Sequence, residues 1–114
     1  MKDLALKGYL GTRSYYLWAN QSTTGTYHPD PNYTFSTVGA APPSVHRSGT
    51  GTYLATLPGM RAGGSVQVTS FGNGKGRCIV ASILTSGSPQ QVGVRCFNVA
   101  GNRQDTRFTL AYTR

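Results

Sequence analysis

The sequence contains no glutamate, and its only carboxylate side chains are Asp3, Asp30 and Asp105. Glycoside hydrolysis usually sets two carboxylates on either side of one bond, so a chain this poor in acids is badly equipped for it. Asp30 lies in a proline-bound turn. Asp105 directly precedes a strand segment between Arg103 and Arg107, where a loop brace or an ion pair is its plainer role. Two Cys and two His match a zinc set by number, yet no C-x-x-C or H-x-x-x-H step occurs. No D-x-D-x-D run offers calcium its closely spaced oxygens. His28 or His46 completes a Ser/His/Asp set only on paper, because no G-x-S-x-G elbow accompanies it. The loop Gly72–Arg77, GNGKGR, lacks the spacing and the following helix of a phosphate cradle and reads as a tight turn. The expectation is a chain that is not an enzyme and holds neither metal nor cofactor.

Helix formers are also sparse, and no long stretch shows helical period. No apolar run approaches the roughly 20 residues of a membrane helix. What is present is Gly, Ser and Thr in quantity, with seven Tyr and four Phe. A chain of 114 residues is one domain, long enough to bury a real core. This composition favours an all-β domain of short strands and tight turns.

The strongest stretch is Arg77–Asn98, RCIVASILTSGSPQQVGVRCFN, a β-hairpin carrying both cysteines. Its arms, Arg77–Leu84 and Gln91–Asn98, are rich in Val, Ile, Cys and Phe, and Ser86-Gly87-Ser88-Pro89 is turn chemistry. Facing residues of an antiparallel hairpin have numbers that sum to a constant. If Cys78 faces Cys96, then Val80 faces Val94 and Ser82 faces Val92, with an odd-numbered loop around Gly87. A Cys78–Cys96 disulfide follows; two buried free thiols are the alternative. The pair suggests an oxidising compartment, hence an extracellular, secreted protein. Met1–Leu10 has Lys7 where the apolar run of a signal peptide belongs. Either the leader has been replaced or the chain is a piece of a longer secreted protein.

Along the rest of the chain, Met1–Arg13 reads as leader or linker, with room for a helical turn at Asp3–Lys7. Residues 14–114 form the domain. Strands are expected at Ser14–Asn20, Tyr33–Thr37, Val45–Arg47, Thr52–Leu57, Ser65–Phe71 and Thr106–Thr113, besides the hairpin arms. Tyr27–Asn32 cannot lie inside a sheet, because Pro29 and Pro31 donate no ladder bonds. Gly72–Gly76 reads as a hairpin turn. Seven or eight short strands at regular spacing predict an antiparallel β-sandwich, or a small barrel, with one cross-strand disulfide.

The phrases YLWANQSTTGTYHPDPNYTFST, RSGTGTYLATLPG, GSVQVTSFGNGKGRCIVAS and VGVRCFNVAGNRQDTRFTLAYTR together resemble a β-rich domain that recurs, often in tandem, in secreted actinobacterial and myxobacterial proteins. The most specific pieces are Gly51-Thr52-Tyr53 with Pro58-Gly59, and Arg95-Cys96-Phe97-Asn98 with Asp105-Thr106-Arg107-Phe108. The resemblance spans Ser14 to Arg114 and implies a bacterial extracellular module. It implies no activity.

Two surfaces are candidates for binding. The net charge of +8 suits acidic surfaces, and equally well simple solubility. The even-numbered face of the hairpin, Cys78, Val80, Val92, Val94 and Cys96, is the more apolar and should be core. The odd face then shows Arg77 and Arg95 among Ile79, Ile83 and Phe97. Arg107 joins them if the last strand pairs beside Gln91–Asn98. This face would meet an anionic ligand or another copy of the chain; the alternative is that a loop covers it. The second candidate is the aromatic loop region with Tyr27, His28, Asp30 and Asn32, flanked by Tyr15, Trp18 and Tyr33. Aromatic rings beside amides and carboxylates suit sugars. Trp18, lying mid-strand, reads as a core residue. The expected function is a non-catalytic, lectin-like module for glycan or another cell-surface polymer, with a structural, self-associating repeat as the alternative. Nucleic acid is allowed by charge but not favoured, since no recognition motif appears.

Overall fold

The computed structural model describes residues 13–38, 41–72, 75–84 and 86–114. The leader or linker expected over Met1–Arg13, with its helical turn, lies outside them apart from Arg13. Among the described residues seven strands are six to eight residues long: β1 (Ser14–Ala19), β4 (Ser44–Gly49), β5 (Thr52–Leu57), β6 (Ser65–Phe71), β7 (Arg77–Ile83), β8 (Gln90–Phe97) and β9 (Arg107–Thr113). Two edge pieces, β2 (Thr26–Tyr27) and β3 (Phe35–Ser36), have two residues each. The first sheet runs β3-β1-β9-β6 and the second β2-β4-β5-β8-β7, all antiparallel. The chain is an all-β, two-sheet sandwich.

Alternation makes the core. β1 turns Tyr15, Leu17 and Ala19 inward, β5 Tyr53, Ala55 and Leu57, and β9 Phe108, Leu110 and Tyr112. Val92, Val94 and Cys96 of β8 face them from the second sheet, each fully buried. Gln90 is a polar side chain wholly inside the core. Gln90 donates to the Tyr112 hydroxyl at 2.9 Å, and that hydroxyl donates to the Arg61 carbonyl at 2.8 Å. The Gly64 N–H donates to the same Tyr112 oxygen at 2.7 Å, so the pair ties the 60–64 loop to the end of the sandwich. A buried polar group is tolerable only when satisfied in this way.

The disulfide joins Cys78 and Cys96 directly across β7 and β8, with Cα atoms 4.0 Å apart. The Cys96 N–H donates to the Gly51 carbonyl and its carbonyl accepts from Gln104, both away from β7. The cysteines therefore form a non-hydrogen-bonded pair, where facing side chains lie closest. Val80 faces Val94 as expected, but the register then slips, and Ser82 faces Gly93 while Ile83 faces Val92. The bulge leaves Ala81 and Ser82 exposed in succession and turns Ile83 toward the core. The constant-sum register, and with it the placing of Ile83 on the outer face, fails at that bulge. The odd-numbered loop around Gly87 fails with it.

Three further expectations are corrected. β9 pairs with β1 and β6 in the first sheet, not beside β8. β6 and β7 belong to different sheets, so the hairpin expected around Gly72–Gly76, of which 73 and 74 lie outside the described residues, does not form. Tyr33 does not begin a strand: Pro31–Tyr33 is a single 3₁₀ turn, and only Phe35–Ser36 pairs with β1.

Asp105 braces the turn between β4 and β5. Its carboxylate accepts from Arg47 Nε and Nη2, both at 3.0 Å, from the Gly51 N–H at 2.8 Å and from the Tyr53 hydroxyl at 3.2 Å. Gly51 has φ +62°, and a Cβ there would overlap the Cys96 carbonyl, so this turn requires glycine. Burial alone would raise the Asp105 carboxyl. The Arg47 guanidinium and the two further donors outweigh it and hold the group below the usual carboxylate range.

Candidate functional site

Because β1 buries its odd residues, Tyr16 and Trp18 must face outward. Trp18 is thus not a core residue; it is half-buried on the outer face of the first sheet. Its Nε1–H donates to the Tyr16 hydroxyl at 2.6 Å, which fixes the indole orientation. The 3₁₀ turn then lays Tyr33 flat on Trp18, with ring centroids 4.3 Å apart and planes 9° apart. Asp30 makes that turn possible: its side chain accepts from the Asn32 N–H at 2.9 Å, and its carbonyl accepts from the Tyr33 N–H and the Thr34 hydroxyl. Pro31 at the first turn position needs no hydrogen-bond partner for its nitrogen.

Phe71 packs against Trp18 at 5.6 Å with a tilt of 49°, and the Arg107 guanidinium lies 5.3 Å from the Phe71 ring centre. On the other flank, Phe35 pairs with Tyr16. The result is a continuous aromatic band across the sheet, Phe35, Tyr16, Trp18, Tyr33 and Phe71. Tyr33 and Phe35 are 49% and 60% exposed. Arg107 closes one end, beside a hollow of about 230 Å³ that includes Ser22, Gln104 and Thr106.

The four loop residues singled out from the sequence are partly dispersed. Tyr27 is half-buried against the core, and its hydroxyl accepts from the Gln21 N–H at 3.3 Å. Asp30 and Asn32 serve the turn that carries Tyr33. His28 is exposed, with Nδ1 2.8 Å from the Pro43 carbonyl. It borders an apolar cleft of about 480 Å³ between Pro29, Pro31, Pro42, Pro43 and Tyr15. The arginines are divided as well. Arg77 and Arg95 share the outer face of the second sheet, while Arg107 lies on the first.

Neither aspartate described stands in a carboxylate pair: Asp105 is held by Arg47, and Asp30 caps its turn. Among the described residues no group of three or more His, Cys or Asp side chains is close enough to hold a metal ion. Among them, too, no helix is long and apolar enough to cross a membrane. Sequence reasoning missed Phe35 and Phe71 as site residues. Their signal was parity with Trp18 once β1, β3, β6 and β9 are known to share a sheet. Comparison with known proteins returns no matching family model, no matching curated protein and no matching solved structure.

Proposed function

We propose that this chain is a non-catalytic, extracellular binding module that engages a glycan chain on the aromatic face of its first sheet. The observation that carries the reading is the exposed pair Tyr33 and Phe35, backed by Trp18 and Tyr16. Rings presented on a rigid sheet, with little conformational freedom left to lose, pack well on the C–H faces of sugars. Thr69, Thr109 and Gln67 lie in the same rows and offer hydroxyl and amide partners to sugar hydroxyls. The disulfide suits an oxidising compartment. The resemblance to modules of secreted bacterial proteins agrees with that setting.

Affinity electrophoresis in native gels containing laminarin, xylan or soluble chitin derivatives tests the reading. A neutral glycan should retard the protein at low and high salt alike, and Tyr33→Ala with Phe35→Ala should weaken retardation about tenfold or more. Unchanged retardation in that double variant contradicts it. So does free migration in every glycan, and concentration-dependent oligomers by light scattering would then favour a self-associating repeat.

A further inference from the structure

The outer face of the second sheet carries a separate set of features. Arg95 lies between Thr52 and Ile79 across three strands, and the next row holds Arg77, Phe97 and Arg103. Arg103 Nη1 donates to the Thr52 hydroxyl at 2.9 Å, and the Arg77 guanidinium lies 5.3 Å from the Phe97 ring centre. All three arginines are exposed. Adjacent strands are about 4.8 Å apart and alternate residues about 7 Å apart along a strand, so three guanidiniums share one small patch. Among the described residues the only carboxylates are Asp30 and Asp105, and Asp105 is committed to Arg47. Among the described residues no acidic side chain is paired with an arginine of this face.

Beside Arg95 the sheet is indented. Gly93 stands between Leu54 and Ser82 with no side chain of its own, and a Cβ there would overlap the Ser82 hydroxyl. The bulge in β7 brings Ala81 and Ser82 to the surface together and forms the near wall. His46, Ser48 and Thr52 form the far one. The hollow measures about 270 Å³, and polar groups and Leu54 share its lining.

We propose that this face is a second binding surface, independent of the aromatic band, and that its occupant is an acidic polysaccharide. One sugar ring sits over Gly93, with its carboxylate or sulfate on Arg95, and neighbouring acidic groups reach Arg103 and Arg77. Guanidinium forks fit such oxyanions in two-point contacts. The hydroxyls of Ser48, Thr52 and Ser82 suit the ring's own hydroxyls. Single-stranded nucleic acid is disfavoured, because it needs free rings for its bases and Arg77 already lies over Phe97. An anionic bilayer is disfavoured, because the exposed aliphatics here are the single side chains Ile79, Leu84 and Val99 and not the broad apolar face that enters lipid.

The test measures binding to polygalacturonate and to dextran sulfate, alongside a single-stranded oligonucleotide and phosphatidylglycerol vesicles. The protein should bind one or both polysaccharides and release them as salt rises. Arg77→Ser, Arg95→Ser and Arg103→Ser together should weaken this about tenfold or more, with thermal melting unchanged. Ala81→Phe fills the hollow without altering charge and should weaken binding too. Full binding by Ala81→Phe would overturn the seated sugar, leaving charge alone. Equal or tighter binding to the oligonucleotide or the vesicles would overturn the choice of partner. Tyr33→Ala with Phe35→Ala should leave acidic-polysaccharide binding intact. Its loss there would overturn the independence of the two faces, whereas failure of neutral-glycan binding alone would touch only the first sheet.

Discussion

Tyr33 lies flat on Trp18 at a ring separation of 4.3 Å, although one residue belongs to a 3₁₀ turn and the other to an inner strand of the first sheet. Trp18 is the chain's single tryptophan, so tryptophan emission reports on this aromatic site. Tyr33→Ala should expose the indole, shift emission to the red and cost about 1 kcal/mol of stability. Fluorescence spectra and urea melts of the variant check both effects.

Asp105 accepts two hydrogen bonds from Arg47 and one from the Gly51 N–H, and it shares the single Tyr53 O–H with the Ser22 carbonyl. Asp105→Asn keeps the shape and removes the charge, and should lower stability at neutral pH by about 2 kcal/mol. The folded carboxyl titrates below its ordinary value of 3.8. Its contribution is therefore complete above that value and is lost as pH falls through the lower folded value. Urea midpoints measured from neutral pH downward should converge for wild type and Asp105→Asn under acid.

Tyr53 gives the opposite limb. Burial, first among its causes, pushes the phenol from 10.0 up to about 12. The neutral hydroxyl donates to the Ser22 carbonyl at 2.9 Å and accepts from the Thr106 N–H at 3.1 Å. Its contribution is complete below pH 10 and disappears as pH rises toward about 12. Tyr53→Phe should be less stable than wild type at neutral pH, and the gap should narrow across that alkaline range in thermal melts.

The Cys78–Cys96 bond closes a loop with a sequence separation of 18. Chain entropy assigns such a link about 3 kcal/mol. Cys78→Ala with Cys96→Ala should lower the urea midpoint accordingly, and reduction of the wild type should bring it toward the same value.

Much of this architecture is legible in the sequence, because it depends on period-two alternation. Thr52–Leu57 and Ser65–Phe71 are strands with the expected bounds, and the cysteine register follows from parity. Parity also explains where reading fails. Ala81 and Ser82 are both small and tolerant of exposure, so nothing local marks the bulge that turns Ile83 inward. Which sheet receives β9 depends on pairing with β1, almost the whole chain away, and no local pattern encodes that. Both faces of β1 carry an aromatic, Tyr15 on one and Tyr16 and Trp18 on the other, so Trp18 looks like core until Leu17 and Ala19 are seen to be buried. Asp30-Pro31 is a cap followed by a first-turn proline, which favours a helical turn at Tyr33 over a strand.

The most direct test of the aromatic site is a titration of Trp18 fluorescence with a neutral oligosaccharide that retards the protein in gels. A saturable change in emission, insensitive to salt and strongly weakened in Tyr33→Ala and in Phe35→Ala, is the predicted result. Binding that leaves Trp18 emission unchanged and survives both substitutions would place the ligand elsewhere and contradict the account.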